Sequence, residues 1–171
     1  GVTGVQTCAL PISIDGPRDP RGILIADWNG DGKADILVCD NTKSELQFFP
    51  GNGDGTIGTA QSIALELSPS GCAMADLTGD GKLDVAIVDQ FGYKQQIVLG
   101  DGAGGFAALT STSSAGQYSD LVLADLNNDG KADLITGEPP GVTAQISDGL
   151  GGFSSLTRYP VHSAPTQPVY I

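Results

Sequence analysis

Short apolar runs alternate with Gly- and Asp-rich stretches along most of the chain. Ile23–Ile25, Ile36–Val38, Leu46–Phe49, Val85–Val88, Gln96–Leu99, Leu121–Leu123, Leu134–Ile135 and Ala144–Ile146 are the clearest runs. Each is short, rich in β-branched or aromatic residues and bounded by turn formers, which is the pattern of a buried strand. No run carries the 3.6-residue stripe of an amphipathic helix. The predicted fold class is therefore all-β.

The pattern repeats. Ala26-Asp-Trp-Asn-Gly-Asp-Gly-Lys-Ala-Asp35, Ala75-Asp-Leu-Thr-Gly-Asp-Gly-Lys-Leu-Asp84 and Ala124-Asp-Leu-Asn-Asn-Asp-Gly-Lys-Ala-Asp133 align without gaps. Their leading Asp residues stand at 27, 76 and 125, an interval of 49 residues each time. A second feature recurs in phase: Gly51-Asn-Gly-Asp-Gly-Thr56, Gly100-Asp-Gly-Ala-Gly-Gly105 and Ser147-Asp-Gly-Leu-Gly-Gly152. Such Gly-dense segments suit tight hairpin turns. Gly100–Gly105 also fits a dinucleotide-binding G-x-G-x-x-G, but no helix pattern follows it and it is one copy of a repeated turn. About four strands per 49 residues is the size of one propeller blade. The expectation is a partial β-propeller of about three four-stranded antiparallel blades.

Numbered from the leading Asp, each acidic loop has side-chain oxygens at positions 1, 3, 5 and 9 and Gly at position 6. These are Asp27, Asn29, Asp31 and Asp35; Asp76, Thr78, Asp80 and Asp84; and Asp125, Asn127, Asp129 and Asp133. Position 7 offers a backbone carbonyl, from Lys33, Lys82 and Lys131. Alternate side chains of a curled loop point inward together, and an all-oxygen set with water completing it suits Ca²⁺. The loops hold no His or Cys, which argues against zinc and copper. Mg²⁺ sheds its water less readily than such a cage demands. Up to three Ca²⁺ ions are expected, acting as structural staples. Thr78 stands where the other loops have Asn, so the second site is expected to bind more weakly. An EF-hand would need a Glu at position 12 and a following helix; here position 12 is Val38, Ile87 or Thr136, in strand-like sequence.

Charge agrees. Asp and Glu number 20 against 8 Lys and Arg, a net charge of −12. Three Ca²⁺ would bring that value to −6. An acidic surface does not suit nucleic acid, and no apolar stretch is long enough to insert in a membrane.

In its acidic loop and its Gly-rich turn, recurring in phase, the chain resembles the FG-GAP/VCBS repeat family, the blades of integrin-α-like propellers. The resemblance covers roughly residues 22–171. It implies a β-propeller with Ca²⁺ in a hairpin loop of each blade and an extracellular or cell-surface location, with the periplasm as a further compartment. The blade repeats fall at about 22–70, 71–119 and 120–168 within a propeller segment of 14–171. Position 172 would begin the next acidic loop, so a further blade is read as cut off at 171. Residues 2–12 read as the translation of a short-read sequencing adapter, and residues 1–13 are set aside as non-native.

The chain is expected to be a non-enzymatic module of a larger protein that binds a protein or glycan ligand. It would need other blades, or another chain, to close its propeller. The alternatives are a scaffold or appended domain of an extracellular polysaccharide-degrading enzyme, and a rigid spacer. Binding faces on such folds lie on loops, and these loops vary between the copies. No catalytic constellation accompanies the repeats: His162, the one histidine, has no nucleophile motif near it. Asp40, Asp89 and Glu138 are read as strand-ending residues. Trp28 replaces Leu77 and Leu126 of the other repeats and is read as a packing residue. Cys39 and Cys72 lie in apolar runs and read as small core residues, with a disulfide between them as the alternative.

Overall fold

The computed structural model describes residues 18–89, 94–113, 120–138, 141–154 and 157–160. The adapter-like segment, His162 and Val169–Ile171 lie outside the described residues. The described chain is all-β, as expected, with twelve strands in three four-stranded antiparallel sheets.

The first sheet holds β1 (Pro20–Ala26), β2 (Asp35–Asp40), β3 (Glu45–Phe49) and β4 (Gln61–Ala64). The second holds β5 (Pro69–Ala75), β6 (Asp84–Asp89), β7 (Lys94–Gly100) and β8 (Phe106–Ser113). The third holds β9 (Asp120–Ala124), β10 (Asp133–Glu138), β11 (Gly141–Gln145) and β12 (Thr157–Pro160). Each sheet is a meander in chain order. The acidic loop joins the first strand to the second, and the Gly-rich turn follows the third strand. Val38, Ile87 and Thr136 all sit in second strands, and no helix follows any loop.

The first strand of the second sheet packs beside the first strands of both others. Three sheets that meet along their first strands form an arc of propeller blades. Through the second strand of each blade, residues 49 apart in sequence take equivalent places; beyond it, blades two and three are 47 apart, as with Gly100 and Ser147.

The core lies between blades. One cluster combines Leu24, Leu37, Cys39, Leu46 and Phe48 of blade one with Cys72, Met74, Val85, Ile87 and Val98 of blade two. The other combines Ala86, Val88 and Ile97 of blade two with Leu121 and Leu134 of blade three. A flat blade has two apolar faces and needs a neighbour on each. The outermost faces therefore differ from the expected buried strands. Ile23 and Ile25 of β1 are 63% and 67% exposed, and Val122 of β9 is 57% exposed. These residues lie in strands as expected, but among the described residues no neighbouring blade covers their faces.

A plug from each of the first two acidic loops ties its blade to the next. Trp28, at position 2, is 2% exposed and reaches blade two. Its Cη2 lies 2.9 Å from where a Cβ on Gly100 would stand, so only Gly fits there. Its ring sits 5.8 Å from that of Phe106, tilted by 44°. Leu77 is fully buried at the next seam, where its carbonyl accepts the Ser147 hydroxyl at 3.3 Å. Leu126 is 50% exposed. Trp28 is thus a packing residue, as its alignment with two leucines indicates.

Candidate metal loops and their clamp

In the first and third loops the side chains at positions 1, 3 and 5 fold back over the loop, and in the second those at positions 1 and 5 do. Asp27 accepts the N–H groups of Asp31 and Gly32, at 3.0 and 2.9 Å, one on each oxygen. Asn29 Oδ1 accepts the Asp31 N–H at 2.9 Å, and Asp31 accepts the Lys33 N–H at 2.9 Å. The third loop repeats this: Asp125 accepts from Asp129 and Gly130, Asn127 from Asp129, and Asp129 from Lys131. These are Asx-type turns in series, the local bonds that short polar side chains form readily.

The second loop departs slightly. Asp76 accepts from Gly79 at 2.7 Å and Gly81 at 2.8 Å, one residue earlier on its first oxygen than in the other loops. Thr78, which lacks the amide oxygen of Asn29, is the residue that differs. Asp80 still accepts the Lys82 N–H at 3.0 Å.

Two positions per loop need a left-handed backbone. Position 6 is Gly in each, with φ of 83° at Gly32, 81° at Gly81 and 85° at Gly130. Position 4 was not singled out from the sequence, yet it is also left-handed: Gly30, Gly79 and Asn128, the last with φ of 60°. Asn is one of the few other residues that tolerate this conformation, and that is the signal the third loop carried.

The position-5 carboxylates are held below the usual carboxylate range. For Asp31 the main cause is a hydrogen bond from the Lys33 side chain, for Asp80 the Lys82 N–H, and for Asp129 the Asn127 amide. The Lys33 and Lys82 ammonium groups each lie 3.1 Å from the Asp of their loop. Lys131 turns instead to the Asp148 carbonyl, at 3.2 Å. In every blade the lysine stem covers a Gly of the Gly-rich turn, namely Gly53, Gly102 and Gly149.

Position 9 stands apart. Asp35, Asp84 and Asp133 are buried. Asp35 accepts N–H groups from Trp28 (2.9 Å), Asn29 (3.2 Å) and Gly51 (2.7 Å). Asp84 accepts from Leu77 (2.9 Å) and Gly100 (3.1 Å), and Asp133 from Leu126 (2.9 Å) and Ser147 (2.8 Å). One oxygen of each thus holds the acidic loop and the other holds the start of the Gly-rich turn. Burial, opposed by those two N–H bonds and reinforced by Asp80 and Asp76, raises the Asp84 carboxyl above its ordinary range. This clamp was not legible in the sequence, where position 9 read only as a ligand.

The donor chemistry fits a hard cation. Each loop presents only oxygen donors, and each carboxylate oxygen has more than one lone pair to offer. Among the described residues, no three His, Cys, Asp or Glu side chains gather around one point. The position-5 carboxylates of the first two loops are engaged by lysine, in exposed pairs that contribute little and break readily.

The Gly-rich turns use the same device. Asp101 accepts from Ala103 and Gly105 at 2.7 and 2.8 Å, and Asp148 from Leu150 and Gly152 at 2.7 and 3.0 Å. A Cβ on Gly105 or Gly152 would overlap that carboxylate. In the first turn Thr56 bonds Asp54 and Asn52 instead.

An FG-GAP-like repeat matches residues 27–87, and an FG-GAP repeat matches residues 118–152. The chain belongs to the FG-GAP repeat family. Both matches begin at or just before an acidic loop, and together they span more than half of the chain. No curated protein matches it. Among solved structures, the FG-GAP chain is similar to a lectin from Agrocybe aegerita, studied for specific recognition of non-reducing terminal N-acetylglucosamine. That likeness has a TM-score of 0.60 and 27% identity, and covers 80% of this chain and 37% of the lectin. BBS1N in complex with ARL6DN is similar in fold alone, with a TM-score of 0.55 and 11% identity over 82% of this chain and 40% of that one. The TcdB2-TccC3 structure gives a TM-score of 0.50 and 26% identity over 70% of this chain and 6% of its own. The chain spans well under half the length of each.

Proposed function

We propose that this FG-GAP chain is a calcium-stabilised propeller module of a larger secreted or cell-surface protein, and that the module binds a glycan. Asp27, Asn29 and Asp31, with the carbonyl of Lys33, would hold one ion, and the equivalent residues of the other loops would hold two more, while Asp35, Asp84 and Asp133 keep the N–H groups they bind. Bound Ca²⁺ supplies positive charge among three carboxylates per loop and so favours the closed loop. The chain's own residues supply the rest: position 9 joins loop to turn, and position 2 joins blade to blade. The apolar outer faces at Ile23, Ile25 and Val122 are covered, in this reading, by further blades or by another chain.

The observation that carries the reading is the threefold recurrence of one acidic loop with side-chain oxygen donors at positions 1, 3 and 5 and left-handed residues at positions 4 and 6. Likeness to a glycan-recognising lectin over 80% of the chain supports a glycan over other ligands. Propeller folds serve many functions, so the ligand has to be tested on the chain itself. The full chain is passed over an immobilised glycan array that includes N-acetylglucosamine termini, in Ca²⁺ and in EDTA. Calcium-dependent retention on a defined glycan terminus is expected. A chain that is folded in Ca²⁺ and retained on no glycan would overturn the glycan reading.

A further inference from the structure

Cys39 and Cys72 meet at the seam between the first two blades. Cys39 lies in β2 and is fully buried, paired in register with Gly22 of β1. Cys72 lies in β5 of the next blade and is half-buried. A Cβ on Gly22 would overlap the Cys72 sulfur, so Gly22 leaves the space that this thiol fills, directly beside Cys39. Both cysteines belong to the same core cluster.

The next seam shows that this placement is a property of the repeat. Forty-nine residues on, Gly71 pairs with Val88 and stands against Leu121 of β9. A Cβ on Gly71 would lie 3.4 Å from Leu121 Cδ2 and 3.8 Å from Val88 Cγ2. The Gly, Val and Leu of that seam occupy the places of Gly22, Cys39 and Cys72. A contact that is wholly apolar at one seam is a pair of thiols at the other.

We propose that Cys39 and Cys72 form a disulfide that staples blade one to blade two, with a low-molecular-weight disulfide as oxidant. The half-buried Cys72 reacts first. Its thiolate attacks one sulfur of the small disulfide and expels one small thiolate, which takes up a proton. The Cys39 sulfur then attacks Cys72 Sγ, loses its proton and releases the second small thiol. Two protein S–H bonds and one S–S bond are broken; one protein S–S bond and two small-thiol S–H bonds are formed. Two electrons pass from the protein to the oxidant.

The order of attack follows from burial. Hydrogen bonding with the Cys72 thiol, together with burial, pushes the Cys39 thiol well above the ordinary range. A thiol of that kind makes a poor first nucleophile, but at the mixed disulfide its target is already in contact. The inference does not depend on calcium or on a ligand.

The test uses the full chain with Cys8→Ser, since Cys8 lies outside the described residues and would scramble the result. The folded protein is held in an oxidised and reduced glutathione buffer, quenched with acid, unfolded and alkylated, and its intact mass is measured. The cross-linked form is expected to predominate, two hydrogens lighter, with both alkylatable thiols lost and a peptide joining residues 39 and 72. Cys39→Val, which copies the other seam, is expected to keep the fold by circular dichroism and to stop at a glutathione adduct on Cys72. Two free thiols in the folded Cys8→Ser chain would overturn the proposal, as would a stable adduct on Cys72 while Cys39 is present. So would a Cys39→Val chain that takes up no glutathione.

Discussion

In EDTA, Asp35→Ala lowers the free energy of unfolding by about 3–5 kcal/mol, read from the urea midpoint by circular dichroism. The substitution leaves three N–H groups, of Trp28, Asn29 and Gly51, without their acceptor. Each buried unsatisfied group costs roughly 1–3 kcal/mol, and water entering the gap recovers part of that. Measurement in EDTA removes any contribution from a bound cation. Asp31→Ala is the matched control. It lies in the same loop, but its lysine pair is exposed, so its midpoint in EDTA stays close to that of the parent chain. If the two variants were equally destabilised, position 9 would not be a clamp.

Trp28→Ala is the second large effect, at about 3–5 kcal/mol, because a buried aromatic is replaced by a cavity at the seam. Gly100 and Phe106 lose their partner across the blades. The repeat supplies an internal scale. Leu77→Ala, at a fully buried plug, is expected to cost about 2–5 kcal/mol, whereas Leu126→Ala, half exposed, changes the midpoint little. The Trp28 ring nitrogen has no hydrogen-bond partner. Trp28→Phe therefore loses no hydrogen bond and falls between the parent and the Ala variant. Equal losses at Trp28, Leu77 and Leu126 would show that the plugs do not join blades.

Most of the fold was legible because the repeat made it redundant. The 49-residue interval gave the blade, the apolar runs gave the strands, and the absence of Glu at position 12 removed the EF-hand. Two features were not legible, for different physical reasons. An apolar strand does not reveal whether a neighbour covers it, so Ile23 and Ile25 read as buried although they are exposed. A carboxylate can hold either a cation or backbone N–H groups, and its spacing is the same in both cases. Asp35, Asp84 and Asp133 therefore read as ligands, and only the structure showed the bonds that tie each loop to its Gly-rich turn. Asn128 carried a usable signal, since Asn in a Gly position points to a left-handed residue.

The central claim is that the acidic loops hold calcium as a structural staple. Thermal unfolding of the full chain in millimolar Ca²⁺ and in EDTA tests it most directly. Each site adds about 2.7 kcal/mol at a hundredfold excess over Kd. Three sites in a chain of this size should raise the transition by about 10 °C or more. Changing Asp31, Asp80 and Asp129 together to Asn should abolish most of that rise while leaving the EDTA transition nearly in place. A cooperative transition at the same temperature in Ca²⁺ and in EDTA would contradict the account and leave the loops as turns held by their own hydrogen bonds.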